Sequence, residues 1–301
     1  MAASEDRMGD WSLEDRTCLV TGATSGIGQE TALGLAREGA RVLIVGRDPA
    51  RGEAARSEIV RRSGNDRIEL LLADLGSLRE VGRLADEVRT RCPALHVLVN
   101  NAGVVNLKPQ KSADGFEATF AVNHLAYFAL TLQLLDLLRA SAPARIVNVA
   151  SDAHRFGQID WNDLQSEKRY RGLPVVAAMR VYGTSKLQNI LFTRELARRI
   201  EGSGVTANCL HPGAVSTRLG VNNGSGSRII AAMLRPFMLS PADGARTSIH
   251  LASSPEVTDL SGLYFANMRE ARCSRAARDV DAARRLWQVS AELTGLAGAA
   301  A

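Results

Sequence analysis

Near its start the chain reads Thr17-Cys18-Leu19-Val20-Thr21, then Gly22-Ala23-Thr24-Ser25-Gly26-Ile27-Gly28, then Gln29 to Arg37. The first run is short, mostly apolar and β-prone; the last carries apolar residues at helical spacing. A strand that turns through glycines into a helix constrains the fold strongly, because it is the first step of an alternating β/α sheet. In that setting Gly22 permits a tight turn, Gly26 lets backbone approach a diphosphate, and Gly28 allows the helix to pack close to the strand. Thr24, Ser25 and Ile27 complete the turn, and the helix N-terminus presents free N–H groups to an anion. The spacing is G-x-x-x-G-x-G rather than G-x-G-x-x-G, and by itself it also fits an ordinary turn.

Further strand-like runs follow at Arg41 to Val45, Ile68 to Leu72, Leu95 to Val99, Arg145 to Val149, Val205 to Leu210 and Leu263 to Phe265, with helical patterns between most of them. The alternation predicts an α/β fold, a doubly wound parallel sheet of about seven strands flanked by helices. With 301 residues and 46% apolar content, the chain can bury a sizeable core in one domain. That domain is expected over 16–295, between a polar extension at 1–15 and a frayed tail at 296–301.

No run of about 20 apolar residues is evident, so no membrane span is expected. Met1 to Arg16 is polar and has no apolar stretch like that of a signal peptide, and a cytoplasmic location follows as the expectation. Cys18, Cys92, Cys209 and Cys273 have neither metal nor redox spacing; they read as small core residues, and no metal site is expected. The net charge of +5 raises the question of nucleic acid. The densest basic stretch, Arg269 to Arg285, is interrupted by Glu270, Asp279 and Asp281, which suits a solvated helix face better than a nucleic-acid patch.

A second constellation suggests proton chemistry. Tyr182 and Lys186 are four residues apart, one turn along the same helix face, so the ammonium can favour the ionised phenol. Tyrosine ordinarily ionises near pH 10, too high to exchange protons at neutrality without such help. In isolation the pair is equally a surface pair, Ser151 a turn cap, and Asn123 a polar residue within a helix.

Taken in order, these features resemble the short-chain dehydrogenase/reductase family, single-domain type, over nearly the whole chain. The series is the Gly turn, Asp74-Leu75, Asn100-Asn101-Ala102-Gly103, Asn123, Ser151, Tyr182 with Lys186, and His211-Pro212-Gly213-Ala214-Val215-Ser216-Thr217. Val122-Asn123-His124-Leu125 and Lys186 to Phe192 are most similar to retinol-dehydrogenase-like and protochlorophyllide-reductase-like members. Retinol-dehydrogenase-like members often carry an N-terminal anchor, which the polar start here does not resemble.

The resemblance implies hydride transfer between a nicotinamide and a carbonyl or alcohol carbon. Tyr182 would donate the proton to the carbonyl oxygen, Lys186 would lower the Tyr182 pKa and hold the nicotinamide ribose, and Ser151 would polarise the substrate oxygen. Asn123 would steady a water in a proton path from Lys186. Asp74, with Leu75 beside it, resembles the adenine-contacting acid. Asn101, followed by Ala102 and Gly103, resembles the family's strand-stabilising or cofactor-contacting Asn. Val215 and Thr217 would hold the nicotinamide carboxamide, following Pro212 and Gly213 in the same cofactor-binding run.

The cofactor type is read at the end of the second strand, Leu43-Ile44-Val45-Gly46-Arg47-Asp48. An acid there would bind ribose hydroxyls and repel a 2′-phosphate, whereas an Arg accepts the phosphate. Gly46 stands where the acid would be and Arg47 follows, which favours NADP(H); the other reading is a surface Arg47 paired with Asp48.

For substrate, the stripe Ile229, Ile230, Met233, Leu234, Phe237 and Met238 follows the Gly/Asn/Ser-rich run from Gly220 to Ser227. A lid near 218–240 closing over an apolar aldehyde, ketone or alcohol is the expectation, with a stripe that merely packs on the core as the alternative. Ser151 and Tyr182 are 31 positions apart, so an added segment near 154–176 intervenes and leaves the oligomeric state open. A nucleotide sensor on the same fold would have no need of Ser, Tyr and Lys together. A nucleotide-sugar epimerase, which resembles G-x-x-G-x-x-G, is opposed by the glycine spacing and by Asn100 to Gly103.

Overall fold

Runs such as Val42 to Val45 and Val97 to Val99 are buried along their whole length, without the apolar/polar alternation of a half-exposed strand. Strands of this kind must be covered on both faces, which is the condition of a parallel sheet between helical layers. The computed structural model describes residues 11–170, 172–215 and 238–298 and shows that arrangement. Its elements are β1 (Thr17–Thr21), α1 (Gly26–Arg37), β2 (Arg41–Gly46), α2 (Pro49–Ser63), β3 (Ile68–Leu72), α3 (Leu78–Arg91), β4 (Val97–Asn100) and α4 (Ala118–Ala140). They continue with β5 (Ala144–Val149), α5 (Pro174–Arg199), β6 (Val205–His211), α6 (Pro241–Ser253), β7 (Tyr264–Ala266), β8 (Arg269–Glu270) and α7 (Val280–Leu293).

The eight-stranded sheet has the order β3-β2-β1-β4-β5-β6-β7-β8 and is parallel except for β8. Seven strands follow the expected alternation. The eighth is a polar two-residue strand, too short to leave a pattern in sequence. The order reverses between β1 and β4, so the loops leaving those two strands diverge and open a crevice at their carboxyl ends. One core layer joins Leu84, Val88, Phe128, Leu138 and Trp287, and the opposite layer joins Leu33, Leu35, Ile44, Ile59 and Leu251.

Three expectations need correction or refinement. Among the described residues one helix, α4, is long and apolar enough to cross a membrane, with 23 residues and a mean hydropathy of 1.3 over its most apolar window. Asn123, His124 and Thr131 hide the run in sequence because they interrupt it without adding formal charge. Of that window 78% is buried inside the fold, and the helix packs on α3, as a core helix does. The body also reaches back past residue 16: Leu13 is 2% exposed, and Trp11 Nε1 donates to the Ala252 carbonyl at 3.0 Å. Leu296, placed by sequence in the frayed tail, packs against the core. The four cysteines are free and buried, as expected.

Candidate active site

The turn after β1 is built by contacts that exclude side chains. Gly22 has φ +65°, and a Cβ on it would lie 2.7 Å from the Ala102 Cα of the loop after β4. On Gly28 a Cβ would lie 2.3 Å from Asn101 Nδ2 and 2.4 Å from the Gly22 carbonyl. Asn101 closes this junction by donating to the Thr21 carbonyl at 2.8 Å, while Thr21 Oγ1 accepts from the backbone N–H groups of Asn101 and Ala102. Asn101 therefore ties the two loops that flank the crevice, which agrees with its strand-stabilising alternative.

Ser25 is the N-cap of α1 but makes no side-chain cap, and the first turn, Gly26-Ile27-Gly28, carries no acid. By contrast, Asp48, Ser77, Ser240 and Asp279 cap α2, α3, α6 and α7. The uncapped N–H groups of α1 are thus free to receive an anion, which suits a cofactor diphosphate.

At the end of β2 a Cβ on Gly46 would lie 2.3 Å from Thr24 Cγ2, so the Thr24 methyl group occupies the space an acid would need. Asp48 Oδ1 accepts from Arg51 N at 2.9 Å as helix cap, and Asp48 makes no ion pair with Arg47. Arg47 is exposed and lines an open cavity of about 400 Å³ with Asp74, Ser77, Arg79 and Ala113. Arg79 and Arg83, which no motif marks, bring two further guanidinium groups to the same cavity, beside Glu80. Asp74 accepts from Gly76 N at 2.9 Å, and Leu75 packs inward against the core.

On the other side of the crevice Ser151 follows β5, and its hydroxyl accepts from Ala153 N at 3.2 Å. The Ser151 side chain also neighbours the Tyr182 phenol on α5, near enough to favour its ionised form. His154 pins this turn: one ring nitrogen bonds the Ser151 carbonyl at 2.8 Å, and the other accepts from Ser274 N at 3.0 Å. The second bond makes Nε2 the acceptor and Nδ1–H the donor. Gly183, beside Tyr182, lets the turn approach α5, since a Cβ there would lie 2.5 Å from the Ala153 carbonyl. The added segment docks on α5 and α4 through Arg169 to Thr184 at 3.0 Å and Tyr170 to Glu117 at 2.8 Å.

Lys186 is 2% exposed and donates to the Val149 carbonyl at 2.8 Å, with Nζ 5.7 Å from the centre of the Tyr182 ring. Burial pushes its ammonium down to about 7. Burial pushes the Tyr182 phenol up to about 12, and neighbouring Ser151 draws it the other way. The anticipated lowering thus comes from Ser151, while Lys186 is held by a backbone carbonyl. Asn123 lies in a π-helical turn, Ala121–Leu125, within α4. Its side chain accepts from Val104 N at 2.8 Å and donates to the Val104 carbonyl at 3.1 Å and to Ser185 Oγ at 3.0 Å. Both Asn123 and Lys186 border Gly103, whose Cβ would sit 3.4 Å from Asn123 Oδ1 and 3.7 Å from Lys186 Nζ.

Pro212 and Gly213 leave the end of β6, where Gly213 N donates to His211 Nδ1 at 3.1 Å. Val215 comes close to the Gly turn, since a Cβ on Gly244 would meet Val215 Cγ2 at 2.6 Å and Ile27 Cγ1 at 3.2 Å. Thr217 and the lid stripe from Ile229 to Phe237 lie outside the described residues. Asn123, Lys186 and Gly103 thus lie together, with Tyr182 and Ser151 beside Lys186, while Arg47 and Asp74 line a separate cavity and Leu75 packs into the core. Sequence reasoning missed His154, Ser185 and the Val149 carbonyl. Ser185 stood inside the Tyr182 to Lys186 motif, but a backbone carbonyl carries no residue signal at all.

Comparison with known proteins agrees with this geometry. The short chain dehydrogenase family model matches residues 16–163. Human retinol dehydrogenase 12 is 44% identical over 285 residues, covering 94% of this chain and 88% of that protein. An uncharacterized protein from Mycobacterium paratuberculosis superposes with a TM-score of 0.75 at 35% identity, covering 94% of this chain and 95% of that one. The Pseudomonas aeruginosa RhlG/NADP active-site complex superposes with a TM-score of 0.65 at 29% identity, covering 85% and 95%.

Proposed function

The chain belongs to the short-chain dehydrogenase family as a retinol-dehydrogenase-like oxidoreductase, and from that premise we propose that it uses NADP(H) to interconvert an apolar aldehyde or ketone and its alcohol. The observation that carries this reading is buried Lys186, fixed on the Val149 carbonyl one helical turn from a Tyr182 phenol whose pKa Ser151 draws down, on the rim of a crevice whose opposite wall is the uncapped start of α1.

The nicotinamide supplies or accepts the hydride when bound. In reduction the Tyr182 hydroxyl gives its proton to the substrate oxygen, which Ser151 polarises by a second hydrogen bond; in oxidation the same proton returns. Lys186, fixed on the Val149 carbonyl, holds the nicotinamide ribose and feeds protons to Tyr182. Asn123, clamped between Val104 and Ser185, steadies water in that path. Asn101 to Gly103 and Pro212 to Thr217 would flank the cofactor, and Asp74 with Leu75 would meet its adenine end. The relatives named for retinol favour a long apolar alcohol or aldehyde as substrate. A cytoplasmic location remains part of this proposal.

NADPH oxidation against a panel of apolar, phosphorylated and carboxylated carbonyls tests the reading. The expected result is turnover with long-chain apolar aldehydes; preference for the charged compounds would refute the substrate class, and no turnover with any would favour a nucleotide sensor.

Two further contacts support NADP(H) as the cofactor. The Thr24 methyl against Gly46 leaves no room for an acid, and Arg47 has no carboxylate partner among the described residues. NADPH is expected to bind more tightly than NADH, and Arg47→Asp should narrow or reverse the preference. A charge-assisted Arg–phosphate contact contributes about 1.5–3 kcal/mol, roughly tenfold to a hundredfold in affinity. Equal dissociation constants for the two cofactors on the wild type would refute this.

A further inference from the structure

His124 and Ser290 are both 0% exposed, and they hydrogen-bond between α4 and α7, His124 Nε2 to Ser290 Oγ, at 2.8 Å. Their surroundings are apolar: Phe120 stacks on the imidazole at 5.5 Å, Phe192 meets it edge-on at 6.2 Å, and Trp287 packs on Phe192 and Phe128. A hydrogen-bonded polar pair in such a contact is no more stabilising than apolar groups of the same shape. Its location is therefore informative. His124 occupies the π-helical turn that carries Asn123, and π turns within α-helices collect at functional sites.

The other ring nitrogen points the same way. His124 Nδ1 and Asn189 Oδ1 are buried and outside direct hydrogen-bond geometry with any partner, yet the Asn189 amide is near enough to oppose the effect of burial on the imidazole. If the Ser290 hydroxyl donates to Nε2, the ring carries its proton on Nδ1, facing the Asn189 oxygen. The Asn189 Nδ2 group in turn donates to the Val149 carbonyl at 3.4 Å, the same oxygen that receives Lys186 Nζ at 2.8 Å. Buried polar groups thus lie in series from Ser290 on α7 through His124 to Asn189 and the anchor of Lys186, with the His124 to Asn189 step outside direct hydrogen-bond geometry, while His124 is also the backbone neighbour of Asn123.

We propose that Ser290 and His124 are positioning residues for the proton path: the serine holds the imidazole, and the imidazole sets both the π turn that aims Asn123 and the Asn189 amide that shares the Lys186 anchor. The inference rests on the proposed oxidoreductase reading. It assigns the C-terminal helix a part in catalysis although it supplies no group to the crevice.

The test measures kcat, KM and NADPH affinity with a long-chain apolar aldehyde for the wild type, Ser290→Ala, Ser290→Thr, His124→Phe and the Ser290→Ala/His124→Phe double variant. Misplacement of a proton-relay group without loss of the group itself is expected to lower kcat about tenfold in Ser290→Ala. KM and NADPH affinity should stay near the wild-type values, while the melting temperature should fall by a few degrees because His124 Nε2 loses its buried partner. Ser290→Thr, which keeps the hydroxyl, should recover kcat to within about twofold, and the double variant should be no worse than His124→Phe alone. A folded Ser290→Ala with wild-type kcat overturns the proposal, as does a Ser290→Thr equally impaired, or losses that multiply in the double variant. An inactive wild type overturns the oxidoreductase reading and this inference together, whereas an active wild type with an indifferent Ser290→Ala overturns this inference alone.

Discussion

Tyr182→Phe is expected to lower turnover by at least about a hundredfold, the scale of a lost general acid, while NADPH affinity changes by no more than about twofold. The variant removes one oxygen from a half-buried side chain and leaves the ring in place. In the structure that hydroxyl neighbours the Ser151 side chain. Its loss leaves the Ser151 hydroxyl with the Ala153 N–H, so the turn after β5 stays capped. The uncapped start of α1 and the Gly22–Ala102 contact lie on the other wall of the crevice and are untouched. Single-turnover rates and fluorescence titration of NADPH separate the two quantities. Retention of most activity in a folded Tyr182→Phe would remove Tyr182 from the chemistry and leave Ser151 as a turn cap.

Much of this arrangement is legible in sequence because it depends on residue type at fixed spacing. Glycine at positions 22 and 28 has no substitute where neighbours approach this closely, and Gly26 has a positive φ of 60°, so the β1–α1 turn can be read directly. Tyr182 and Lys186 share a helix face by periodicity alone, and the long Val and Ile runs declare buried parallel strands. What stayed hidden depends on tertiary contact. Gly46 reads as a missing acid; only the Thr24 methyl shows why no side chain fits there. Lys186 reads as a partner of Tyr182, but its hydrogen bond is to the Val149 carbonyl. His124 reads as one letter of a helical run, and its bond to Ser290 spans 166 positions that no local pattern connects. The apolar length of α4 was masked by Asn123, His124 and Thr131, polar residues that the fold buries and satisfies in different ways.

Lys186→Met is expected to separate function from stability. Turnover should fall by about a hundredfold or more and NADPH affinity should weaken as well, since the ammonium is assigned both the ribose and the proton path. Stability should change with the opposite sign near neutrality. Burial lowers the Lys186 pKa to about 7, whereas the unfolded chain restores it to about 10.4. Between those values the unfolded state binds a proton that the folded state does not, so the contribution of Lys186 to stability is full above the higher value and is lost as pH falls through the lower one. Wild-type stability should therefore carry a rising component between pH 7 and 9 that approaches about 1.4 kcal/mol per pH unit, and Lys186→Met should lack it. The raised thiols of Cys18 and Cys209 act on both proteins alike and cancel in the difference. Denaturant titrations of the cofactor-free wild type and variant at pH 7, 8 and 9 should show the advantage of Lys186→Met shrinking as pH rises. A difference that does not vary with pH would mean that Lys186 stays charged in the fold, and its hydrogen bond to Val149 would then be that of a full ammonium available to Tyr182 throughout.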